Sequence, residues 1–235
     1  MPHPHSCLAF AVLFALSLIH TGCGGSGNSN YDAADEAYQA GKYERAIELF
    51  TLAAEESDDP AIWGNRGNCY SSLGDLDAAL KDYNTAIEKA NKITGDPNDS
   101  RLAYLYYNRG AAYESAHRYA EAVEDYEKTA SLDNKYPDAK GRHAWIIATC
   151  RDKDLRDPGL AATLATAECE QTGWKNAGPI DTLAAAHAAA GDFTQAVERQ
   201  NQAIKLLDNA DEEKDFQERL TLYRKKKPYF QPVTE

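Results

Sequence analysis

The side chains with chemistry to offer are six histidines, five cysteines and several adjacent carboxylates. His3, His5 and His20 lie in an apolar opening stretch, His117 at a turn, and His143 and His187 at helix packing positions. Paired acids at Glu55–Glu56, Asp58–Asp59 and Glu212–Glu213 have the composition of metal or acid–base sites. Each pair falls at a helix end or in a loop, where a solvated polar face is the simpler account. The chain contains no H-E-x-x-H, P-loop, G-x-S-x-G or G-x-G-x-x-G pattern. An enzyme site would have to sit in an irregular stretch around Asp152, Asp154, Asp157 and Trp174, yet spacing places no nucleophile or base there. The sequence is therefore read as non-enzymatic, with no catalytic, cofactor-binding or metal-ligating residue.

Beyond the opening stretch three cysteines remain, Cys69, Cys150 and Cys169, an odd number without a C-x-x-C. Cys150 ends one expected helix, and Cys169 lies about ten residues into the next. That is roughly 15 Å along the axis at about 1.5 Å per residue, whereas a disulfide needs Cα atoms within about 7 Å. No Cys150–Cys169 bond is expected. Cys169 instead stands where Ile87 and Ile204 stand in neighbouring units, as a small buried apolar group.

The elements that must position these residues repeat. "WGNRGNCY" begins at Trp63 and "YYNRGAAY" at Tyr106. "GKYERAIELFTLA" begins at Gly41, "GDLDAALKDYNTA" at Gly74, "HRYAEAVEDYEKT" at His117 and "GDFTQAVERQNQA" at Gly191. A turn residue is followed by an apolar residue and then by alanine, at Ala46, Ala79, Ala122 and Ala196. Aromatics follow at Phe50, Tyr83 and Tyr126, and small residues at Ala53, Ala86, Thr129 and Ala203. Apolar and small residues at i, i+3, i+4 and i+7 make one helical face. The segments before the turns carry a similar stripe, through Trp63, Gly67 and Tyr70 and through Tyr106, Gly110 and Tyr113. Each unit therefore reads as helix, tight turn, helix.

On these residues the chain resembles the tetratricopeptide repeat family. The unit with Trp63, Gly67, Tyr70, Ala79, Tyr83 and Ala86 carries the family landmarks. The next matches at Gly110, Tyr113, Ala122 and Tyr126, with His117 where glycine is usual. The last pair has Ala184, Ala196 and Ala203, with His187 in the tyrosine position. "AWIIATC", "TGWKN", "DTLAAAHAAAGDF" and "LTLYRKKKPY" resemble a C-terminal module of bacterial members. The resemblance implies an all-α, right-handed superhelical solenoid of about five helix pairs with a C-terminal capping helix. Its repeats are expected near 31–60, 61–93, 103–136, an irregular 137–175 and 177–210, with a cap at 211–227 and a tail at 228–235. "NKITGDPNDS" is an inserted loop. Asp157 is expected to cap a helix that opens with Pro158.

The first residues are of a different kind. "LAFAVLFALSLI", Leu8 to Ile19, suits the core of a secretory signal, and residues 1–22 contain no Asp, Glu, Lys or Arg. "IHTGC" resembles a bacterial lipobox with His20 where leucine is usual, which implies lipidation at Cys23. "GGSGNSN" then reads as a flexible linker, residues 23–30, that spaces a domain from a membrane. An exported, envelope-located, lipid-anchored chain is expected. An uncleaved anchor that leaves the repeats facing the cytoplasm is the rival placement.

The net charge of −12 argues against a nucleic-acid partner, since phosphate binding needs clustered Lys and Arg, and none is expected. The basic cluster Arg224–Lys227 reads as a helix-end feature. The family resemblance implies a concave groove lined by the first helix of each pair, which holds a protein or peptide partner. Some members grip a partner's terminal carboxylate with Asn, Lys and Arg. The matching positions here hold Asn68, Asn108 and Arg142, but Gly64 and Asp138 replace two lysines. Tyr104, Tyr107 and Glu114 complete the expected contact surface. The reading is a protein-interaction scaffold, whose partner and oligomeric state the sequence leaves open.

Overall fold

The computed structural model describes residues 29–99, 101–136, 138–207 and 210–231. Among these residues every regular element is a helix. Five antiparallel pairs follow in order: α1 (Ser29–Gln39) with α2 (Tyr43–Glu56), α3 (Pro60–Ser72) with α4 (Leu76–Thr94), α5 (Leu102–Ser115) with α6 (Tyr119–Leu132), α7 (Ala139–Thr149) with α8 (Pro158–Gln171), and α9 (Ala177–Ala189) with α10 (Phe193–Ile204). Helix α11 (Ala210–Arg224) packs on α10 as a cap. The expected all-α, right-handed solenoid is the architecture found. The apolar signal run and Cys23 lie outside the described residues. Helix α1 starts at Ser29, within the stretch read as linker.

Helix starts follow local chemistry. Asp59, Asp75, Asp157 and Asp192 accept hydrogen bonds from the first-turn amides of Ala61, Ala78, Leu160 and Gln195, and Asn176 accepts from Gly178. Pro60 and Pro158 occupy first-turn positions, where the missing N–H costs nothing. The tight turns close alike. Lys42, Asp75, Arg118 and Asp192 donate their amides to carbonyls five residues back, at Ala37, Tyr70, Tyr113 and His187. This closure needs a left-handed residue, supplied by Gly41 (φ 71°), Gly74 (80°) and Gly191 (85°), and by His117 (57°) in the third pair.

The repeated positions form the core. Ala46, Ala79, Ala122 and Ala196 are fully buried, as are Ala53, Ala86, Thr129 and Ala203. Phe50, Tyr83 and Tyr126 lie under the first helices. A Cβ built on Gly67 would stand 2.8 Å from Tyr83 Cε1, and one on Gly110 would stand 3.1 Å from Tyr126 Cε1. The recurrent glycine therefore marks the place where the second-helix tyrosine passes beneath the first helix. In the last pair the aromatic slot holds Gln200, which is fully buried. Its amide donates to Asp181 Oδ1 at 2.6 Å and to the Phe216 carbonyl at 3.2 Å, and Arg219 Nε donates to the same Asp181 oxygen at 2.8 Å. The cap is thus joined by a buried polar network in place of a ring.

The segment after α11 returns to α7. The Gln231 amide donates to the Thr149 carbonyl at 3.0 Å, and its side chain donates to Thr149 Oγ1 at 3.1 Å. Arg151 Nε donates to the Gln231 carbonyl at 2.9 Å. Tyr229 stacks on Trp145, with centroids 5.7 Å apart. The residues from 228 to 231, read as part of a tail, are a strap across the last two pairs.

Candidate functional site

The groove residues come from consecutive first helices, and the structure brings them into two clusters. At the α3–α5 step, Asn68 is the hub. Its Oδ1 accepts from Tyr83 Oη at 2.8 Å and Asn108 Nδ2 at 3.2 Å, while its Nδ2 donates to Tyr104 Oη at 2.5 Å. Tyr104 is 43% exposed, and its ring forms part of the open surface. At the α5–α7 step, Arg142 Nε donates to Tyr107 Oη at 3.0 Å, and its Nη1 donates to Glu114 Oε2 at 3.1 Å. Tyr126 Oη donates to the same Glu114 oxygen at 2.7 Å. Burial opposes the charge on Arg142, but Glu114 and the neighbouring tyrosines raise its pKa. Asn68, Tyr104 and Asn108 thus form one cluster, and Tyr107, Glu114 and Arg142 the other.

This arrangement bears on the carboxylate grip. Asn68 and Asn108 each direct a side-chain N–H inside the cluster, to Tyr104 and to Asn68 respectively, and the Arg142 charge is offset by Glu114. Gly64 does not face the groove: it is buried, and an added Cβ would meet Leu105 Cδ2 at 2.8 Å. What the surface offers instead is phenol rings and carboxylates. Tyr107 and Tyr136 lie 4.9 Å apart between ring centroids, and burial raises the pKa of both phenols, with a smaller push from Asp138 and, on Tyr107, an opposing pull from Arg142.

The other chemically capable residues serve structure. Asp157 caps α8, and Asp152 Oδ1 accepts the Asp154 amide in the preceding turn. Trp174 takes a left-handed φ of 60° and lies beneath the Arg199 guanidinium. His143 is 5% exposed and burial lowers its pKa. Cys69, Cys150 and Cys169 are free thiols, all buried. Burial pushes Cys69 up to about 12 and Cys169 to about 11, which keeps both thiols protonated and unreactive.

Two features escaped the sequence reading. The arginine of each Asn-Arg-Gly is held by an aspartate sixteen residues on, Arg66 by Asp82 and Arg109 by Asp125. The signal was present, since both aspartates precede the landmark tyrosines Tyr83 and Tyr126. The second is Glu168, which precedes Cys169 and so occupies the small-residue slot of Ala86 and Ala203. Its residue is only 7% exposed, and its Oε2 receives no hydrogen bond. The signal was a charged residue at a position that elsewhere holds alanine or threonine.

Comparison with known proteins supports the geometry. Residues 58–135 match the family model described as "Tetratricopeptide repeat". A structure of YrrB, described as a tetratricopeptide repeat protein with an unusual peptide-binding site, superposes with a TM-score of 0.64 at 15% identity, covering 80% of this chain and 90% of that one. The fold is a tetratricopeptide repeat solenoid. PilW, described as a type IV pilus biogenesis factor, superposes on the same solenoid with a TM-score of 0.59 at 17% identity, over 85% of this chain and 94% of that one. In sequence, the yeast (Saccharomyces cerevisiae) heat shock protein STI1 is 38% identical over 107 residues. That match takes in 44% of this chain but only 16% of the relative, so the likeness concerns the repeats and not the whole protein.

Proposed function

We propose that this tetratricopeptide repeat solenoid is a scaffold of a bacterial cell envelope, exported and lipidated at Cys23, that holds a partner protein or peptide in the groove of its first helices. Solenoids of this kind bind protein or peptide partners, and the described residues offer a surface for that. The observation that carries the reading is the tyrosine-rich face from Tyr104 to Tyr136, fixed by the Asn68 and Arg142 networks. Rings held in place by hydrogen bonds lose little entropy on contact and make good anchors. The peptide site named for YrrB and the pilus biogenesis named for PilW are consistent with it. The apolar run from Leu8 to Ile19 followed by Gly22 and Cys23 supports the anchored placement.

In-cell cross-linking and affinity capture of the full-length chain tests the reading. Recovery of envelope proteins, lost with Tyr104→Ala, is the expected result. Recovery of cytoplasmic proteins alone would overturn the placement. Labelling with a radioactive fatty acid should mark the wild type and spare Cys23→Ser.

A further inference from the structure

Glu168 projects from α8 toward the start of α7. An added Cβ on Gly141 of α7 would collide with the Glu168 carboxylate, so glycine there makes room for it. A cavity of about 180 Å³ opens beside it, lined by Tyr136, Asp138, Lys140, Gln171, Thr172 and Asn176. That is room for several waters, at about 30 Å³ each, or for one small organic cation.

Asp138 faces this cavity for a reason visible in its backbone. It stands at the N-cap of α7 but, unlike Asp59, Asp75, Asp157 and Asp192, accepts no helix amide. Its φ is 62°, a left-handed conformation that aspartate tolerates. The two carboxyl groups thus line one cavity, and Glu168 Oε2 has no hydrogen-bond donor. Lys140 does not fill that role, since its ammonium is held by the carbonyl and side chain of Asn134. Arg142 is held by Tyr107 and Glu114. Two neighbouring carboxylates repel one another, and a proton or a cation between them relieves the repulsion.

We propose that the Asp138–Glu168 pair is a receptor for a single organic cation, the ammonium or guanidinium of a lysine or arginine in the groove-bound partner. The proposal rests on the groove reading and supplies its charge preference. Tyr136 and Tyr107 continue from the pair toward the groove and can face a cation with their rings. Among the described residues no group of three or more potential metal ligands gathers, and calcium therefore serves below as the competing probe. An incoming cation displaces the proton of Glu168. In the empty protein, burial and Asp138 hold the Glu168 carboxyl at about 7, so the exchange falls near neutral pH. The charged groups facing Glu168 are Asp138, Lys140 and Arg142 from α7 and its start, and α9 contributes only the neutral Asn176.

The test is NMR titration of the whole chain, with carbon-13 in its Glu and Asp carboxyls. The probes are an N-acetylated, amidated Gly-Lys-Gly peptide, its arginine counterpart, its norleucine counterpart and calcium. The lysine or arginine peptide should lower the Glu168 midpoint and bind about tenfold more tightly at pH 8 than at pH 6, as the deprotonated fraction rises. Norleucine and calcium should do neither. Glu168→Gln and Asp138→Asn should each weaken the cationic probe about tenfold or more and leave the helical spectrum unchanged. Equal binding of norleucine, a response to calcium alone, or undiminished binding by both variants would overturn the proposal. Tyr104→Ala separates the two readings: it should abolish partner capture and still allow the lysine probe to shift Glu168. If capture survives Tyr104→Ala while the probe works, the groove reading fails and the cation site stands.

Discussion

Arg66 and Asp82 meet through two hydrogen bonds, at 2.7 and 2.9 Å, and Arg109 and Asp125 repeat the meeting one unit later at 2.8 and 2.7 Å. Each is a forked guanidinium–carboxylate pair joining a first helix to its second, with the aspartates only 4% and 3% exposed. A third arginine contact in each case reaches the unit before, to Thr51 and to Asn84. The pair thus ties both helices of a unit and sets the unit against its neighbour. Removing one partner strands the other in a low-dielectric site. Arg66→Ala or Arg109→Ala should cost about 3–5 kcal/mol in urea unfolding. Replacing both members of a pair with apolar residues of similar volume should cost much less.

The third pair closes its turn with a strained residue. His117 adopts the left-handed conformation that Gly41, Gly74 and Gly191 supply elsewhere. An L side chain there costs about 1–2 kcal/mol, offset in part by the contact of His117 Nδ1 with Tyr119 Oη at 3.0 Å. His117→Gly should raise stability by about 0.5–1 kcal/mol. Gly74→Ala should lower it by a similar amount, and paired thermal melts would read both.

Glycine at the helix crossings acts through space rather than through φ. Gly67→Ala drives a methyl into the Tyr83 ring, which is itself almost fully buried. A loss of about 1–3 kcal/mol is expected. Gly64→Ala meets only the end of the flexible Leu105 side chain and should lose less. Equal losses at the two sites would contradict this account of the close approach.

Glu168 makes stability depend on pH. Burial and Asp138 raise its folded pKa from the ordinary carboxylate range to about 7. Between those values the folded chain binds more protons than the unfolded one. Stability therefore falls as pH rises through this interval and levels off above about 7, by up to about 3 kcal/mol. Buried His143 works the other way, because burial lowers its pKa and stability drops as pH falls below the usual imidazole range. The difference between wild type and Glu168→Gln, measured from pH 4.5 to 8, isolates the carboxyl. A constant difference would contradict it.

The thiols give a count. With pKa values of about 12 and 11, Cys69 and Cys169 should resist a thiol reagent at pH 8 in the folded chain. Unfolded without reductant, Cys69, Cys150 and Cys169 should all react. Fewer reactive thiols among them would show a bond that the structure does not contain.

The solenoid was legible because its core obeys a period. Ala46, Ala79, Ala122 and Ala196 recur at one slot, and burial of that slot is all the helix pairs need to stack. Polar partnerships carry no such period. Arg66–Asp82 became visible only once the helices were placed side by side. Gly64 and Arg142 were readable as groove positions but not as buried or already paired ones, because that depends on Leu105 and Glu114 from a neighbouring helix. Asp138 looked like a lost lysine. Its role depends on a left-handed backbone and on Glu168 from another helix, neither of which a single-residue substitution pattern records.

A stack of helix pairs usually melts like a row of loosely coupled blocks, each held only by the blocks beside it. The return of Gln231 to Thr149 spans eighty-two residues and encloses α8 through α11. The strap couples the helices inside that loop: holding its ends together restricts the chain that any enclosed helix would release on unfolding. Helices α1 and α2 lie outside it and can fray independently. Hydrogen exchange should therefore resolve a graded N-terminal half and a C-terminal half that opens all at once.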